Sequence, residues 1–432
     1  MTAGTGLDRR QVLGGLIGLS FAGLDSAAAL AQTAPLNLFA HRVMQTVATG
    51  AQGGDITKPW CDKNGTTVQW TTFDTGPLQE RLFREASLGE TSVDVGFLLN
   101  TQAVPRAASL FEPLDDFMKR DPLDDAPDIF PGLMEGMKAG GKQVAIPFRH
   151  ASSGLHYNEE LLAEKGFTKP PATIEEMVEM ARACTYRRAD GTAVVGLCMP
   201  GVTYPNVIDI ARAWDGDFIT PDFKCVADQP PMLNAIKLLR ELFQAGAFPR
   251  NFATLSTEDV NVWMQTGRAA MSLQSMGRNR IYNDPQKSKF PGKIKTIAVP
   301  ASKALAGKYD AAPAKVEFWG LCIPKNSKRK DLAWSFIKAM ASKQATLGAA
   351  LNGNGPVRAS TYADASFAAT VPYAAEELKV LKVARIPLPA FDEAARAGDL
   401  FKEEAEAAVL GMKTPEEAMA SLVKRVQPLL PA

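Results

Sequence analysis

The sequence has few of the residues and motifs from which catalytic and metal centres are usually built. Its 432 residues include three histidines, His41, His150 and His156, whose spacing matches no common metal-binding motif. It has no Gly-x-Ser-x-Gly elbow, no His-Glu-x-x-His helix, no phosphate-binding loop and no glycine fingerprint for a dinucleotide. We therefore expect no metal, no cofactor and no enzyme, although two distant carboxylates could still converge in a hydrolase.

An excess of charge of one sign is also missing. The chain has 48 Lys and Arg against 47 Asp and Glu, so its net charge of +1 excludes the basic surface that nucleic-acid binding needs. Beyond the N-terminus, no apolar run approaches the roughly 20 residues of a membrane-spanning helix. With 46% hydrophobic and 22% charged residues, the composition is that of a globular protein, and its length predicts two lobes.

Cysteine is scarce, and the count is odd. The five are Cys61, Cys184, Cys198, Cys225 and Cys322, so at least one is free or pairs with another chain. Cys184, Cys198 and Cys225 fall in one region and could form one disulfide, but the spacing does not choose the partners. Cys322 lies in an apolar run, which is typical of a buried thiol.

The first 31 residues have the features of an export signal. Arg9 and Arg10 precede a short apolar segment, and small residues at the two peptidase positions predict cleavage near Ala31. The segment resembles a twin-arginine signal, with Asp8 and Val12 as departures, and an ordinary secretory signal is the alternative. We expect a periplasmic protein, and no cysteine follows the signal to carry a lipid anchor.

The mature chain begins with alternating strand and helix patterns. Residues 35–40, 66–73 and 92–99 are rich in apolar and β-branched side chains, and a helix with its apolar face on Leu78 and Leu82 separates the last two. This alternation predicts an α/β fold.

The segment 141–162 is typical of a passage between lobes. An apolar strand runs to Ile146, and Pro147 is expected to end it or to make it an edge strand there, because proline donates no ladder hydrogen bond. Polar residues, including Arg149 and His150, then precede a second strand and a helix. We interpret the segment as a crossing over a wet cleft.

Several short motifs stand in a fixed order along nearly the whole mature chain. They are Val93-Asp94-Val95, Phe111–Asp116, Gly141–Pro147, Tyr157–Leu162, Pro170–Glu176, Gly267–Met271, Phe318–Lys325 and Thr414–Ala418. This ordered set resembles one family, the extracellular solute-binding proteins of ABC importers, in the branch that includes maltose-binding protein.

This resemblance implies a two-lobe periplasmic-binding-protein-like α/β fold with a hinge of two to three crossing segments. The crossings are expected near 148–153, 317–320 and 352–358. The implied N-terminal lobe comprises 32–148 plus 319–352, and the C-terminal lobe comprises 149–318 plus 353–432.

Candidate ligand-binding residues follow strand ends or lie at the crossings, where open α/β sheets bind ligands. A sugar site needs aromatic rings for stacking and polar groups for directional hydrogen bonds. Trp319 suits stacking or the core equally, and Trp214 is included because its region lines the cleft in the family. The candidates are His41, Arg42, Asp74, Asn100, Arg149, His150, Tyr204, Trp214, Met276, Arg278, Glu317, Trp319 and Arg358.

Four of these candidates are arginines: Arg42, Arg149, Arg278 and Arg358. If two of them face the ligand, the ligand is expected to carry an anionic group, because the guanidinium fork matches carboxylate and phosphate geometry. The alternative is that they pair with carboxylates of the chain or face water.

The resemblance implies a monomeric periplasmic protein that captures a carbohydrate or sugar-like ligand between its lobes and delivers it to the permease of an ABC importer. Related sugar binders often carry an acidic residue just past the first crossing, where this chain has Ala151-Ser152-Ser153. This departure weakens a maltose-type assignment. A polyol phosphate, a polyamine or another non-sugar solute remains an alternative ligand, and an exported two-domain hydrolase is the rival class.

Overall fold

The computed structural model describes residues 34–431, so the predicted export signal lies outside the described residues. The strands are Leu36–His41 (β1), Val68–Phe73 (β2), Val95–Leu99 (β3), Lys138–Ala139 (β4), Lys142–Gln143 (β5), Ile146–Asn158 (β6), Tyr186–Arg187 (β7), Ala193–Cys198 (β8), Ala269–Ser275 (β9), Ile294–Ala298 (β10) and Val316–Cys322 (β11).

The α-helices connect these strands and continue to the C-terminus. They are Arg42–Ala48 (α1), Lys58–Asn64 (α2), Thr75–Ser87 (α3), Ala107–Leu110 (α4), Asp115–Arg120 (α5), Pro131–Glu135 (α6), Glu159–Ala163 (α7), Ile174–Ala183 (α8), Tyr204–Ala211 (α9), Pro230–Gln244 (α10), Thr257–Thr266 (α11), Arg278–Tyr282 (α12), Lys330–Met340 (α13), Lys343–Leu351 (α14), Ala359–Tyr362 (α15), Ala365–Thr370 (α16), Ala374–Val383 (α17), Ala394–Leu410 (α18) and Pro415–Val426 (α19). None of the helices within 34–431 combines the length and apolar character needed to cross a bilayer.

A large mixed sheet runs through both lobes in the order β2-β1-β3-β11-β6-β9-β8-β7, and β10 also pairs with β6. Strands β1, β2 and β3 are parallel, as the alternating pattern predicted, and β11 lies antiparallel to β3. The first half of β6 pairs with β11, while its second half pairs with β9 and β10. Strands β6 and β11 are therefore the two crossings, close to the expected positions.

Of the two alternatives for Pro147, the end of the strand is wrong, whereas the edge position agrees with the pairing, since among the described strands this half of β6 pairs only with β11. Strand β6 continues without interruption from Ile146 to Asn158. Pro147 lies opposite Gly320, beside a shift in the β6–β11 register between Trp319 and Gly320. Such a bulge tolerates proline because it already interrupts the regular ladder of hydrogen bonds.

Two hydrophobic clusters cover opposite faces of the first-lobe sheet. Phe97 and Leu321 belong to one cluster, and their neighbours Leu98 and Phe318 belong to the other. This alternation follows from the two-residue period of side chains along a strand. It explains why these strands are apolar almost throughout.

The second lobe has one large core, formed by β8, β9, the end of β6 and the helices that pack on them. Its helices begin where the sequence predicted. Thr173 Oγ1 accepts a hydrogen bond from the Glu176 backbone at 3.2 Å, and both Ser256 and Thr414 form reciprocal capping boxes.

The third crossing lies later in the chain than expected. Val357, Tyr362 and Phe367 are buried in a first-lobe cluster, although 353–432 was assigned to the second lobe. Helix α17 contributes buried side chains to that cluster and to the second-lobe core, so the chain returns to the second lobe there, rather than at 352–358. The glycine-rich break before Val357 turns the chain within the first lobe instead.

All five cysteines have free thiols. The three considered for a disulfide, Cys184, Cys198 and Cys225, are each buried in the second-lobe core. Burial raises the pKa of Cys184 and Cys225 to about 11 and that of Cys198 to about 12, so these thiols stay protonated and inert.

Candidate ligand-binding cleft

The two crossing strands form the floor of a cleft between the lobes. Along β6 and β11, Arg149, Glu317 and Trp319 are partly exposed, whereas His150 and Phe318 between them are buried. Trp319 lies opposite Arg149 in the strand register. The alternation turns one polar face of the paired strands toward the cleft.

A cavity of about 730 Å³ lies on this floor and takes its lining from both lobes. Val43 and Gly353 lie on the first-lobe side, and the ends of β9 and the loops before α9 and α11 contribute most of the second-lobe side. The lining residues are Val43, Arg149, Ala151, Ser153, Pro200, Pro205, Asn206, Ser256, Thr257, Gln274, Ser275, Gly277, Arg278, Ile281, Lys315, Glu317 and Gly353.

Arg149 is the most enclosed charge of the cavity lining. Its Nη1 donates to Asn354 Oδ1 at 3.1 Å, and no carboxylate of residues 34–431 lies within ion-pair distance. Burial lowers the pKa of Arg149, and the nearby groups Tyr373 and Glu377 counteract this effect. Its guanidinium therefore retains N–H groups that a ligand can occupy.

Glu317 provides the opposite charge on the same floor. Among the described residues its side chain has neither a hydrogen bond nor an ion pair. Burial raises the pKa of Tyr204, and the Glu317 charge contributes to that rise, which indicates that the two groups lie near each other. The Glu317 carboxylate can accept hydrogen bonds from a ligand.

The remaining charges of the cavity are partly neutralised by the chain itself. Lys315 Nζ lies 3.4 Å from Asp209 Oδ2 and donates to the Pro205 carbonyl. Arg278 Nη1 is 3.8 Å from Glu258, whose side chain is 81% exposed, so this contact is weak. Arg278 is consequently the second cation, besides Arg149, that remains available to a ligand.

Four of the sequence candidates lie close together on the first-lobe side of the floor. They are His41, Arg42, Asp74 and Trp319. His41 Nδ1 accepts the Val43 backbone N–H at 3.2 Å and caps α1, and its ring lies 6.3 Å from Trp319. Burial lowers the pKa of His41; the Asp74 carboxylate opposes this effect, and the positive charges of Arg149 and Arg42 add to it. Arg42 pairs with Asp74 at 3.4 Å, with both side chains largely exposed. These residues lie beside the cavity, and their contact with a ligand stays a prediction.

The buried face of the first crossing carries a polar network. Ser152 Oγ donates to Glu377 Oε1 at 2.8 Å, and the Tyr362 hydroxyl donates to Glu377 Oε2 at 2.8 Å. His150 Nε2 lies 2.9 Å from the Tyr362 hydroxyl. Thus His150, a ligand candidate by sequence, joins β6 to α15 and α17 rather than facing the main cavity.

Four other candidates are also placed by the structure outside the main cavity. Asn100 Oδ1 accepts the Phe318 backbone N–H at 3.1 Å, and Met276 is fully buried. Tyr204 packs on aromatic rings of the second-lobe core, and Trp214 packs against the same core. Each follows a strand or helix end, but its side chain is used for packing.

Arg358 was expected to reach the ligand, and the structure contradicts this. Its side chain is fully buried and makes a separate set of contacts within the first lobe. Nε donates to the Ala341 carbonyl at 2.8 Å, and the two terminal nitrogens donate to the carbonyls of Asp124 and Asp125 and to Asp128 Oδ2. The cause is the corrected position of the third crossing, which leaves Arg358 behind the first lobe.

The sequence analysis missed several cavity residues. Lys315 precedes the second crossing strand, Ser275 is the last residue of β9 and Gly277 follows it, so their positions at strand ends were a usable signal. Asn354, which accepts a hydrogen bond from Arg149, lies in the glycine-rich segment between α14 and α15. Val43 enters from α1, and nothing in its local pattern marks it as a cleft residue.

Within residues 34–431, no group of three His, Cys, Asp or Glu side chains is arranged to hold a metal ion. The cleft has a mixture of hydrogen-bond donors and acceptors around two guanidinium groups, Arg149 and Arg278, and the Glu317 carboxylate. Such a site suits reversible binding of a small polar molecule.

Comparisons with known proteins agree with this geometry. Residues 56–375 match the model of a bacterial extracellular solute-binding protein family. A probable ABC transporter-binding protein of Deinococcus radiodurans is 25% identical over 77% of this chain and 80% of its own. A mannitol-binding protein of Pseudomonas aeruginosa is 21% identical over 73% of this chain and 72% of its own.

Solved structures share the fold at low sequence identity. The sugar-binding protein MalE of Xanthomonas citri superposes with a TM-score of 0.77 at 21% identity, over 92% of this chain and 97% of its own. A solute-binding protein of Agrobacterium vitis, solved with bound D-mannitol, has a TM-score of 0.70 at 20% identity, over 92% and 100%. Together with the family match over most of the chain, this two-lobe architecture shows that the protein belongs to the bacterial extracellular solute-binding proteins, which bind solutes for transport and are not enzymes.

Proposed function

We propose that this protein is the periplasmic component of an ABC importer that captures a carbohydrate or sugar-like solute in the interlobe cleft. The observation that carries the proposal is the cavity of about 730 Å³ on the crossing strands, with Arg149 and Glu317 both available to a ligand. A monomer exported by the predicted signal would deliver the solute to the permease subunits.

The cavity favours a small polyhydroxylated solute over a stacked oligosaccharide. Its lining supplies hydroxyl, amide and charged groups, and none of the described lining residues is aromatic. Trp319 is the ring on the first-lobe side of the floor, and it is half-buried beside His41. A polyol or monosaccharide, whose hydroxyls both donate and accept, matches this surface. The mannitol-binding relative is consistent with such a ligand.

An acidic group on the ligand is the finer part of the proposal. Of the four arginines considered, Arg42 pairs with Asp74 and Arg358 is held elsewhere, while Arg149 and Arg278 line the cavity. Two guanidinium groups can bind a carboxylate or phosphate by charge-assisted hydrogen bonds. The Glu317 carboxylate repels an acidic group on the ligand, so we expect that group to lie nearer to Arg278 than to Glu317.

Ligand binding is expected to stabilise a closed arrangement of the lobes. Closure removes water from Arg149 and Glu317, which is unfavourable unless both groups gain hydrogen-bond partners. A ligand that bridges the lobes supplies those partners and shifts the population toward the closed state. A micromolar dissociation constant corresponds to about 8 kcal/mol, which a few charge-assisted hydrogen bonds and buried apolar contacts can provide.

A thermal-shift screen tests this function. The panel comprises neutral monosaccharides, alditols, their acidic and phosphorylated counterparts, and polyamines as the contrasting class. We expect a rise in the melting temperature with at least one sugar or alditol, and no consumption of that compound on prolonged incubation. Stabilisation by polyamines alone, or turnover of the ligand, would contradict the proposal.

A further inference from the structure

A small chamber opens from the main cavity beneath Arg149. It has a volume of about 60 Å³ and shares Arg149, Ala151, Ser275, Gly277 and Gly353 with the main cavity. A water molecule occupies about 30 Å³ of liquid, so the chamber holds a group of about two water-sized units. It is a recess of the cleft, too small for a whole sugar.

The walls of the chamber combine apolar surface with polar side chains, which are Arg149, His150, Ser275, Asn354, Tyr373 and Glu377. Phe367, Val371 and Ala350 supply the apolar part. Tyr373 has no hydrogen-bond partner for its hydroxyl among residues 34–431, and a Cβ built on Gly277 would lie 3.9 Å from that hydroxyl. Arg149 contributes its guanidinium to the same chamber.

The charges around the chamber balance each other. Arg149 brings a positive charge, and Glu377, which also lines the chamber, brings a negative one. Both Glu377 oxygens already accept hydrogen bonds, from Ser152 and Tyr362. A carboxylate in the chamber would be repelled by Glu377, and an ammonium group by Arg149. A neutral polar group with an apolar stem is the remaining match.

We propose that this chamber is a subsite for the terminal hydroxymethyl group of the bound sugar or polyol. This inference rests on the proposed function of the cleft. The methylene carbon contacts Phe367 and Val371, while the hydroxyl oxygen accepts a hydrogen bond from Arg149 and exchanges one with Tyr373. The protein thereby distinguishes the end of its ligand: a primary alcohol binds, whereas a terminal methyl leaves Arg149 and Tyr373 unpaired, and a terminal carboxylate is repelled.

Gly277 allows a direct test. It has φ −60° and ψ −14°, a conformation that alanine adopts readily, and its added Cβ would meet other atoms only at ordinary contact distance. Gly277→Ala therefore narrows the chamber without straining the backbone. Gly132→Ala is the matched control, because Gly132 is exposed on α6 and a Cβ there meets nothing within 4 Å.

The measurement is calorimetric titration with defined probes. The parent sugars are D-glucose, D-galactose and D-mannose. Each is compared with its 6-deoxy form, its 6-carboxylate form and the pentose that lacks C6. D-mannitol is compared with 1,6-dideoxy-D-mannitol. For each parent that binds, we expect at least a tenfold weaker affinity for its deoxy and carboxylate forms. Gly277→Ala is expected to weaken the parent at least tenfold and the pentose less than twofold, while Gly132→Ala changes neither.

Two results would overturn the inference, and they can be told apart. If a parent sugar and its deoxy form bind equally, or Gly277→Ala weakens hexose and pentose alike, the chamber is not the subsite although the cleft binds sugars. If no sugar or alditol binds the wild-type protein, the proposed ligand class fails, and the inference fails with it.

Discussion

At the residue scale, Arg149 is a partly exposed cation without a carboxylate partner among the described residues. Its guanidinium donates to the Asn354 amide, and burial lowers its pKa. A charge held in this way is stabilised when a ligand occupies its remaining N–H groups. The preference for hydroxyl oxygen atoms in the ligand follows from this one side chain more than from any other.

Arg149→Ala is therefore expected to weaken ligand binding. The loss of one or two hydrogen bonds to a charged group costs about 1.5–3 kcal/mol, which corresponds to about 10–100-fold in the dissociation constant. Calorimetric titration with a sugar or alditol identified in the screen measures it. Arg120→Ala is the control, because Arg120 pairs with Asp331 on the surface. Equal affinities for wild type and Arg149→Ala would contradict the role.

Arg358 makes the opposite prediction, because its side chain stabilises the fold. It joins the carbonyls of Asp124, Asp125 and Ala341 and pairs with Asp128, whose carboxyl pKa is lowered by hydrogen bonds from Ser360 and Arg358 against the opposing effect of burial. Removing one partner of a buried ion pair costs about 3–5 kcal/mol.

We expect Arg358→Ala to lower the free energy of unfolding by that amount, as measured by urea denaturation. The fraction that remains folded should bind the ligand with wild-type affinity. If Arg358→Ala kept the stability of the wild type but no longer bound the ligand, Arg358 would be a ligand-binding residue and this prediction would be wrong.

At the scale of elements, the buried His156 links β6 to the strand on each side of it. His156 Nδ1 lies 2.7 Å from Thr296 Oγ1 on β10, and Nε2 lies 3.1 Å from the Ser275 carbonyl on β9. Burial lowers the pKa of His156 to about 4, and hydrogen bonds to backbone carbonyls oppose this only in part. The second half of the crossing strand therefore depends on a neutral imidazole.

This arrangement predicts a loss of stability in acid. The folded pKa lies below the unfolded value of about 6.5, so the contribution of neutral His156 is fully present above pH 6.5 and is lost as the pH falls toward 4. A shift of this size corresponds to about 3 kcal/mol. His150 is also buried with a lowered pKa and acts in the same direction.

Urea denaturation of wild type and His156→Gln at pH 7 and pH 4 isolates the contribution of His156. The variant is expected to lose less free energy of unfolding between the two pH values than the wild type. Parallel losses in the two proteins would show that His156 does not titrate with folding.

At the scale of the whole molecule, the strands and most helix starts could be predicted from the sequence. Their signals are local: β1 and β3 are short apolar runs, and Ser256 and Thr414 sit in capping boxes. The position of the third crossing could not be predicted, because it depends on whether Tyr362 and Phe367 pack against the first or the second lobe. That choice is made by long-range packing.

The site could be predicted only in part for the same reason. Arg149 and Glu317 lie on crossing strands that motifs locate, so they were found. Lys315, Asn354 and Tyr373 reach the cleft through contacts between segments far apart in the sequence. Arg358 and Met276 carry the same kind of local signal as true cleft residues, yet packing turns them away.

Lobe closure provides a prediction for the molecule as a whole. A ligand that bridges the first-lobe side and the second-lobe side of the cavity should bring the lobes together. Small-angle X-ray scattering is expected to show a smaller radius of gyration at saturating ligand than in its absence. With Arg149→Ala, the same decrease should require about 10–100-fold more of the same compound. A ligand that binds tightly without changing the scattering curve would contradict a bridging mode.

The central claim is that the cleft floor binds the solute, and a crystal structure with a sugar or alditol from the screen tests it most directly. The account predicts ligand density on β6 and β11, with ligand oxygens about 3 Å from the Arg149 guanidinium and the Glu317 carboxylate. Ligand density elsewhere, for example in the surface cavity beside Trp70 in the first lobe, with the crossing strands unoccupied, would contradict it.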